Sequence, residues 1–246
     1  MREVNNKTGL FLETMVRQGL YAHPKRLQFK MNRLFRDIDF HGKRVLDIGA
    51  GAGLYTFYAA CQGAKEVVSI EPEADGSTTG VTEKFYFLQR QLGLENVTHK
   101  AATLQDFEAD GRVFDVIMLY DSINHLDENA CIHLLEDQES WNIYKNLCSK
   151  IFHMAGPGAK IIACDCGRNN FFDKINITNP FAPSIEWHKH QNPETWVRLL
   201  AGAGFTNPIV RWHPPNILGA LGDSLLGNSA AAYFFTSHFQ LNMEAS

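Results

Sequence analysis

Three glycines at alternate positions, Gly49, Gly51 and Gly53, follow a short apolar run and precede a helix-like stretch. Glycine suits such a turn because a Cβ would collide with a ligand or forbid the backbone dihedrals. A strand–turn–helix unit of this kind brings backbone N–H groups close to a ligand at the end of a buried parallel strand. About twenty residues later, a second apolar run ends in Glu71, where a carboxylate can hold a ribose diol. The pattern predicts a ligand that contains a nucleoside.

Two details narrow the class of ligand. Asp47 lies two residues before the first glycine, where a dinucleotide-binding strand usually carries an apolar residue, and Leu54 breaks the G-x-G-x-x-G spacing of pyrophosphate binders. No Walker lysine is present. The stretch resembles motif I of the class I S-adenosylmethionine-dependent methyltransferases. The motif resemblance runs from about residue 43 to residue 126, and weaker agreement in the order of elements extends to the C-terminus.

The resemblance implies S-adenosylmethionine as the methyl donor and S-adenosylhomocysteine as the product. It assigns cofactor contacts to three strand ends. The motif I candidates are Asp47, Gly49, Ala50, Gly51 and Gly53, and Glu71 resembles the ribose-binding acid. The adenine loop would contain Thr103, Leu104 and Gln105. Many family members have an acid at the position of Thr103, so the Thr103 hydroxyl, Gln105 or Asp106 could take that role, with the Leu104 N–H also available.

Tyr120 and Asp121 resemble motif IV, where groups at a strand end meet the cofactor's ammonium. A buried ammonium needs acceptors, which makes Asp121 a chemically sensible partner, although a capping role for the next turn is an alternative. His125 and His188 are the candidate catalytic residues, because an imidazole can accept a proton near neutral pH. His190 is an alternative base, and each of the three histidines also has a structural or surface interpretation. The His-x-His spacing of His188 and His190, with Glu186 nearby, invites a metal interpretation, but the further histidines His125 and His213 lie far off in sequence.

The elements that must position these residues alternate between strand and helix, a pattern typical of right-handed crossovers and a parallel sheet. The predicted strands are 44–49, 66–71, 97–101, 114–120, 160–165, 207–213 and 230–239. These match the doubly wound, seven-stranded, mostly parallel sheet of the Rossmann-like methyltransferase fold, in which the last strand is antiparallel. The fold class is therefore α/β. The polar turn Pro72 to Gly80 connects the second strand to a helix.

Two segments flank this sheet. Residues 1–40 show helical periodicity and resemble the N-terminal helical lid of the family, with packing on the sheet edge as the equal alternative. Tyr21, Arg26 and Arg33 could reach the cofactor's carboxylate. Residues 41–246 form the S-adenosylmethionine-binding domain, and within it the segment 167–192 is long, irregular and aromatic, which favours a substrate wall over disorder.

Bulk composition excludes several classes of protein. Apolar residues make up 45% and charged residues 20% of the chain, as in an ordinary globular protein. The formal net charge of −4 argues against general nucleic-acid binding. Five cysteines without framework spacing indicate a reducing compartment. Without a signal peptide or a membrane-length apolar run, we expect a cytoplasmic location and no membrane partner.

The sequence predicts methyl transfer to a small-molecule acceptor, with a slight preference for oxygen because candidate bases are present. The alternatives are an N-methyltransferase acting on an amine or a protein, and a silent domain that binds the cofactor without turnover. A nicotinamide-dependent oxidoreductase is disfavoured by Asp47 and Gly53. The acceptor and the oligomeric state stay open, with a homodimer as one option.

Overall fold

The computed structural model describes residues 2–73 and 79–246, and of residues 2–5 the backbone alone. The centre of the expected turn from Pro72 to Gly80 lies outside the described residues. The helices are α1 (Arg2–Arg17), α2 (Pro24–Leu34), α3 (Leu54–Cys61), α4 (Val81–Leu92), α5 (Glu128–His133), α6 (Gln138–His153), α7 (Phe171–Lys174), α8 (Pro193–Ala203), α9 (Gly219–Leu226) and α10 (Ser229–Phe234). The strands are β1 (Arg44–Ile48), β2 (Glu66–Ile70), β3 (Val97–Lys100), β4 (Phe114–Tyr120), β5 (Ala155–Cys166), β6 (Phe205–Trp212) and β7 (His238–Ala245).

The seven strands follow the order β3-β2-β1-β4-β5-β7-β6. Strand β1 pairs in parallel with β2 and β4, and β2 pairs in parallel with β3. Strand β7 is antiparallel to both β5 and β6. This arrangement confirms the predicted seven-stranded Rossmann-like sheet with an antiparallel last strand. From β1 the chain first adds strands on one side (β2, β3) and then on the other (β4, β5). The reversal between β1 and β4 is the switch point at which such sheets bind ligands.

The chain divides into two compact units, Met1–Leu119 and Tyr120–Ser246. In the first, β1 and β2 are mostly apolar and are buried beyond their first residues, as strands covered on both faces must be. Helix α1 packs on α3, and the Phe11 and Tyr58 ring centroids lie 5.6 Å apart. Phe35, at the end of α2, stacks on the same Tyr58 ring at 5.4 Å. The N-terminal helices are thereby part of this unit's core.

The core of the second unit lies between α6 and α8. Tyr144 and Trp196 are both fully buried, with ring centroids 5.3 Å apart. The Tyr144 hydroxyl lies 3.0–3.2 Å from the carbonyl oxygens of Ile123, Asn124 and Asp127, so a core side chain holds the loop after β4. Desolvation raises the pKa of Tyr144 far above its ordinary value, which keeps this hydroxyl protonated.

The predicted strand at 230–239 is wrong. Helix α10 occupies Ser229–Phe234, and the last strand is β7, from His238 to Ala245. Asn228 caps α10, accepting from the Ala231 N–H at 3.0 Å, and the alanines that follow have high helix propensity. Ser237, at φ 49°, then reverses the chain immediately before β7. The aromatic residues at 233–235 suggested a strand by propensity, but the cap and the alanines decide the conformation.

Other boundaries differ less. Strand β5 begins at Ala155 and includes Gly156, Pro157 and Gly158, whereas the predicted strand began at residue 160. The segment 167–192, expected to be irregular, contains α7 and a 3-10 turn at Trp187–Lys189. Across the described residues, no helix has the length and apolar character needed to span a membrane.

Candidate active site

The glycine turn and the acidic residue after β2 meet in the first unit. The Gly51 N–H donates to Glu71 Oε2 at 2.8 Å, and Glu71 is only 8% exposed. The N–H groups of Gly49 and Ala50 donate to the Ile70 carbonyl at 2.9 and 3.1 Å, which fixes the turn against the end of β2. Two sequence-predicted cofactor contacts, one on each strand end, are therefore adjacent in space.

The glycines of the turn are required for different reasons. Gly51 has φ +51°, and a Cβ built on it would meet nothing within 4 Å, so the space above it is open. Gly53 has φ +88°, and its Cβ would lie 2.6 Å from the Phe57 ring and 2.7 Å from the Phe85 ring. Gly53 thus permits close packing at the start of α3, whereas Gly51 leaves room for a ligand against the backbone.

Asp47 lies beneath this turn, on β1, and is 1% exposed. Its Oδ2 accepts from the Thr56 hydroxyl at 2.6 Å. Among the described residues, Oδ1 is buried and has no hydrogen-bond partner. Desolvation, with a further contribution from the negative charge of Glu71, raises the pKa of Asp47 from 3.8 to about 7. The sequence predicted Asp47 but not Thr56, which lies on the inner face of α3 and could only be found from the fold.

The adenine-loop candidates lie directly after β3. The Thr103 hydroxyl donates to Asp106 Oδ2 at 2.7 Å and accepts from the Asp106 N–H at 3.1 Å, so it is engaged within its own turn. Leu104 is buried, while Gln105 and Asp106 are exposed. This loop therefore offers a buried apolar side chain next to two exposed polar ones, and Asp106 holds Thr103 in place.

The N-terminal candidates differ in their exposure. Arg26 is exposed, Tyr21 is partly buried and Arg33 is 9% exposed, with its guanidinium 5.5 Å from the Phe29 ring. Lys30 Nζ lies 5.8 Å from the Tyr21 ring centroid and 5.4 Å from that of Tyr55, in the first turn of α3. Helix α2 thus reaches the helix that begins at the glycine turn.

The second unit gathers a different set of polar groups around Tyr120 and Asp121. Asp121 has φ +51°, an uncommon conformation for a residue other than glycine, and its N–H donates to the Cys164 carbonyl at 2.9 Å. Its carboxylate is 57% exposed and lies 3.5 Å from His238 Nε2. The Tyr120 hydroxyl is 3.5 Å from the same nitrogen. The β4 end is therefore tied to β7 through His238, a partner that sequence reasoning missed.

His125 and His188, the candidate bases, both lie at the surface. His125 Nδ1 is 2.6 Å from Glu128 Oε1, and its side chain is 52% exposed. His188 lies in the 3-10 turn and is exposed. His190, in contrast, is 13% exposed, and its Nδ1 lies 2.8 Å from Oδ1 of the fully buried Asp165. The sequence placed Asp165 inside a strand and gave no signal that it would meet His190.

The histidines of this unit do not form a metal site within the described parts of the chain, where no group of three potential ligands converges. The five cysteines are buried and form no disulfide bond with one another. Burial raises the pKa of Cys131 and of Cys148 to about 12, so these thiols are inert core groups rather than ligands or nucleophiles.

A family model described as a methyltransferase domain matches residues 21–208. An S-adenosylmethionine-dependent methyltransferase from Mesorhizobium loti superposes with a TM-score of 0.59 at 14% identity, over 88% of this chain and 97% of that one. Another S-adenosylmethionine-dependent methyltransferase, from Aquifex aeolicus, superposes with a TM-score of 0.58 at 16% identity, over 91% of this chain and 94% of that one.

The N-methyltransferase NodS from Bradyrhizobium japonicum is also similar, with a TM-score of 0.50 at 13% identity over 90% of this chain and 94% of NodS. No curated protein matches the chain in sequence. The structural neighbours share the fold, and the family model covers most of the chain, including the glycine turn, Glu71 and the loop after β4. The chain belongs to the methyltransferase-domain family, an enzyme class in which S-adenosylmethionine donates the methyl group.

Proposed function

We propose that this enzyme transfers a methyl group from S-adenosylmethionine to a small-molecule acceptor, with oxygen preferred over nitrogen as the accepting atom. The hydrogen bond from the Gly51 N–H to Glu71 supports this proposal most strongly, because it joins the two groups that a bound nucleoside needs. Methyl transfer is an in-line displacement at an activated carbon, so the protein's main task is alignment of donor and acceptor and exclusion of water.

The residues of the first unit fit the methyl donor. Glu71 supplies the carboxylate for the ribose hydroxyls, and the open space at Gly51 admits the ligand against the backbone. The buried Oδ1 of Asp47, without a partner in the described structure, is an acceptor that a ligand or water could satisfy. We assign the remaining cofactor contacts, as the sequence motifs imply, to Gly49, Ala50, Gly53, Thr103, Leu104, Gln105, Tyr120 and Asp121.

The N-terminal helices are proposed to contribute a lid. Helix α1 packs on α3 through Phe11 and Tyr58, so this helix has a structural role in the core of the first unit. Lys30, between the Tyr21 and Tyr55 rings, places α2 at the first turn of α3, where it can shield a ligand held by the glycine turn. Arg33 is more buried than Arg26, which favours Arg33 as the carboxylate partner.

The second unit supports an acceptor with planar or apolar surface. Its insert at 167–192 carries Phe171 and Phe172, whose rings lie 5.4 Å apart, and Phe171 packs on Phe234 at 5.1 Å. The buried Asn170 amide donates to the Tyr233 and Phe235 carbonyls at 3.2 and 2.9 Å, which attaches the insert to the end of α10. An ordered aromatic wall is the surface that a planar molecule would contact.

An amine or protein acceptor is the main alternative, because the fold is shared with the N-methyltransferase NodS and does not select the acceptor atom. A silent cofactor-binding domain is the second. Isothermal titration with S-adenosylmethionine, S-adenosylhomocysteine and NAD distinguishes a protein that binds the methyl donor from a nicotinamide-dependent oxidoreductase. We expect the first two ligands to bind and NAD not to bind. A silent domain would bind the donor yet methylate no acceptor in a broad library.

The variant Glu71→Gln tests the carboxylate assignment. Loss of the charged acceptor removes about 1.5–3 kcal/mol of hydrogen bonding, so we expect the affinity for S-adenosylmethionine to fall about 10- to 100-fold. Glu95→Gln is the matched control, since Glu95 is exposed and lies outside the site. Equal affinities of the two variants would refute the carboxylate assignment, and no binding by the wild type at millimolar ligand would refute the proposed function.

A further inference from the structure

His190 and Asp165 form a dyad with one buried and one partly accessible member. Asp165, near the end of β5, is 1% exposed, and its Oδ1 accepts from the Cys166 N–H at 2.7 Å and lies 2.8 Å from His190 Nδ1. Asp165 Oδ2 is buried and has no partner among the described residues. Burial raises the pKa of Asp165, and the contact with His190 opposes that shift by favouring the charged form. The contact with the imidazole therefore offsets part of the free-energy cost of burying the charged carboxylate.

The chain on both sides of His190 is held by contacts to α5 and to the loop after β4. The Lys189 carbonyl accepts from Cys131 Sγ at 3.3 Å and from Asn124 Nδ2 at 3.5 Å. The Gln191 amide donates to the Cys131 carbonyl at 2.6 Å. Because the neighbours on either side are fixed, the imidazole has a defined position and direction. This is the support that a catalytic side chain requires.

We propose that His190 is the general base of the methyl transfer, acting through Nε2 on a hydroxyl group of a planar aromatic acceptor, with Asp165 as its positioning residue. The assignment rests on the proposed function and deepens it. With Nδ1 turned to Asp165, the neutral imidazole carries its proton on Nδ1 and leaves the Nε2 lone pair to accept a proton. The structure gives Nε2 no hydrogen-bond partner among the described residues.

The atoms and charges of the step balance. The acceptor's O–H proton moves to His190 Nε2, and an oxygen lone pair forms the bond to the methyl carbon. The carbon–sulfur bond breaks with its electron pair going to sulfur, so the sulfonium becomes a neutral thioether while imidazole becomes imidazolium. The buried carboxylate of Asp165 stabilises that new positive charge. A neutral amine, in contrast, can attack without prior loss of a proton.

In the described part of the chain, the charged and titratable groups of this region include the buried thiols of Cys131 and Cys166, on which the charge of Asp165 acts, and Arg168, whose charge acts on Cys131. Asp121, from the end of β4, is close enough for its charge to raise the pKa of Asp165 further, and Asp121 itself faces His238 of β7 at 3.5 Å. Lys189 directs its ammonium to Glu186 and Glu128, at 2.8 and 3.4 Å. Asp165 is the charged group in direct contact with the His190 ring, and it sets the ring's tautomer.

The tautomer is measurable without any acceptor or methyl donor. In protein labelled with ¹⁵N-histidine, with the signals assigned through His190→Gln, we expect the proton on Nδ1 and a bare Nε2 at pH 8. Asp165→Asn should shift the population toward the Nε2-protonated form. A wild-type imidazole that carries its proton on Nε2 would overturn the proposal, since that nitrogen could not then act as a base.

The catalytic role is tested with 6-hydroxyquinoline and 6-aminoquinoline as matched probe acceptors and radiolabelled S-adenosylmethionine as donor. We expect methylation of the hydroxyl probe, with kcat rising with pH through one ionisation, and a fall in kcat of about 100- to 10,000-fold in His190→Gln. Donor affinity by calorimetry should stay unchanged. His133→Gln, in an exposed pair with Glu136, is the control and should retain wild-type kcat.

Asp165→Asn should lower kcat and displace the pH profile while leaving the acceptor KM unchanged, which a purely structural role would not do. Methylation of the amine probe alone, or full activity in His190→Gln, would overturn the inference. Donor binding without methylation of the hydroxyl probe would overturn the assigned acceptor class. Failure to bind the donor at all would instead refute the proposed function, so the two failures are distinguishable.

Discussion

Asp47→Asn should make the protein's stability less dependent on pH. The native carboxyl is fully buried, its Oδ2 accepts from Thr56, and desolvation raises its pKa from 3.8 to about 7. Asparagine keeps the shape of the side chain and an oxygen for the Thr56 hydroxyl, but it has no charge to desolvate. The substitution therefore removes the cost of ionising a buried group while leaving the packing of β1 against α3 in place.

The magnitude follows from the two pKa values. Between pH 3.8 and about 7 the native state holds a proton that the unfolded chain has released, so stability falls as pH rises through this window. The full difference corresponds to about 4 kcal/mol, reached above pH 7. Integrated from pH 5 to pH 8, the loss attributable to Asp47 is about 2.5 kcal/mol. We expect Asp47→Asn to gain that amount relative to the wild type over the same range.

Urea unfolding of both proteins at intervals from pH 5 to pH 8 measures this difference directly. His99, whose pKa burial lowers, and Asp165, whose pKa burial raises, also titrate on folding but contribute equally to both proteins and cancel in the difference. A difference in unfolding free energy that stays constant from pH 5 to pH 8 would refute the reasoning, because it would mean that Asp47 is ionised in the native state throughout.

Two further predictions concern the glycine turn and the aromatic insert. Gly51→Ala and Gly111→Ala both place a Cβ in open space at positive φ, so each variant should lose about 1–2 kcal/mol of unfolding free energy in urea. Only Gly51→Ala should also abolish binding of S-adenosylmethionine measured by calorimetry. Equal binding by the two variants would contradict the presence of a ligand space at Gly51. Asn170→Ala removes the amide donor from the Tyr233 carbonyl and one of the two amide donors, Asn170 and Asn179, from the Phe235 carbonyl, and it should cost about 3 kcal/mol in thermal or urea unfolding. Asn146→Ala, at an exposed helix position, should change stability by less than about 0.5 kcal/mol, and a similar loss in both variants would show that the buried amide is not the cause.

The local parts of the fold were predictable from the sequence. Strands β1 and β2 were visible as apolar runs, and the glycine turn with Glu71 identified both the fold and the cofactor, because chain connectivity alone brings these elements together. Aspartate is a residue type favoured at helix N-caps, and Asp127 accepts from the Ala130 N–H at 2.9 Å at the start of α5. Each of these features depends on residues close in sequence or on neighbouring strands.

Features that depend on distant packing were not predictable. Asp165 and His190 are 25 positions apart, and their contact depends on the path of an insert that has no regular periodicity. The segment 230–239 was predicted as a strand, and its aromatic residues do have high strand propensity, but the cap at Asn228 and the pairing of β7 with β5 decide its structure. His125 and His188 remain sequence-based candidates, which the structure places at the surface.

The attachment of the insert through Asn170 has a consequence for how this enzyme can change. Its amide grips main-chain carbonyls at positions 233 and 235, and every amino acid presents a carbonyl there. Side chains along the wall can be exchanged while the anchor that holds the wall stays intact. In the proposed role of the insert as a substrate wall, such exchanges would retune the range of acceptors at little risk to folding, and a library randomised at Phe171, Phe172 and Phe234 should retain mostly folded members.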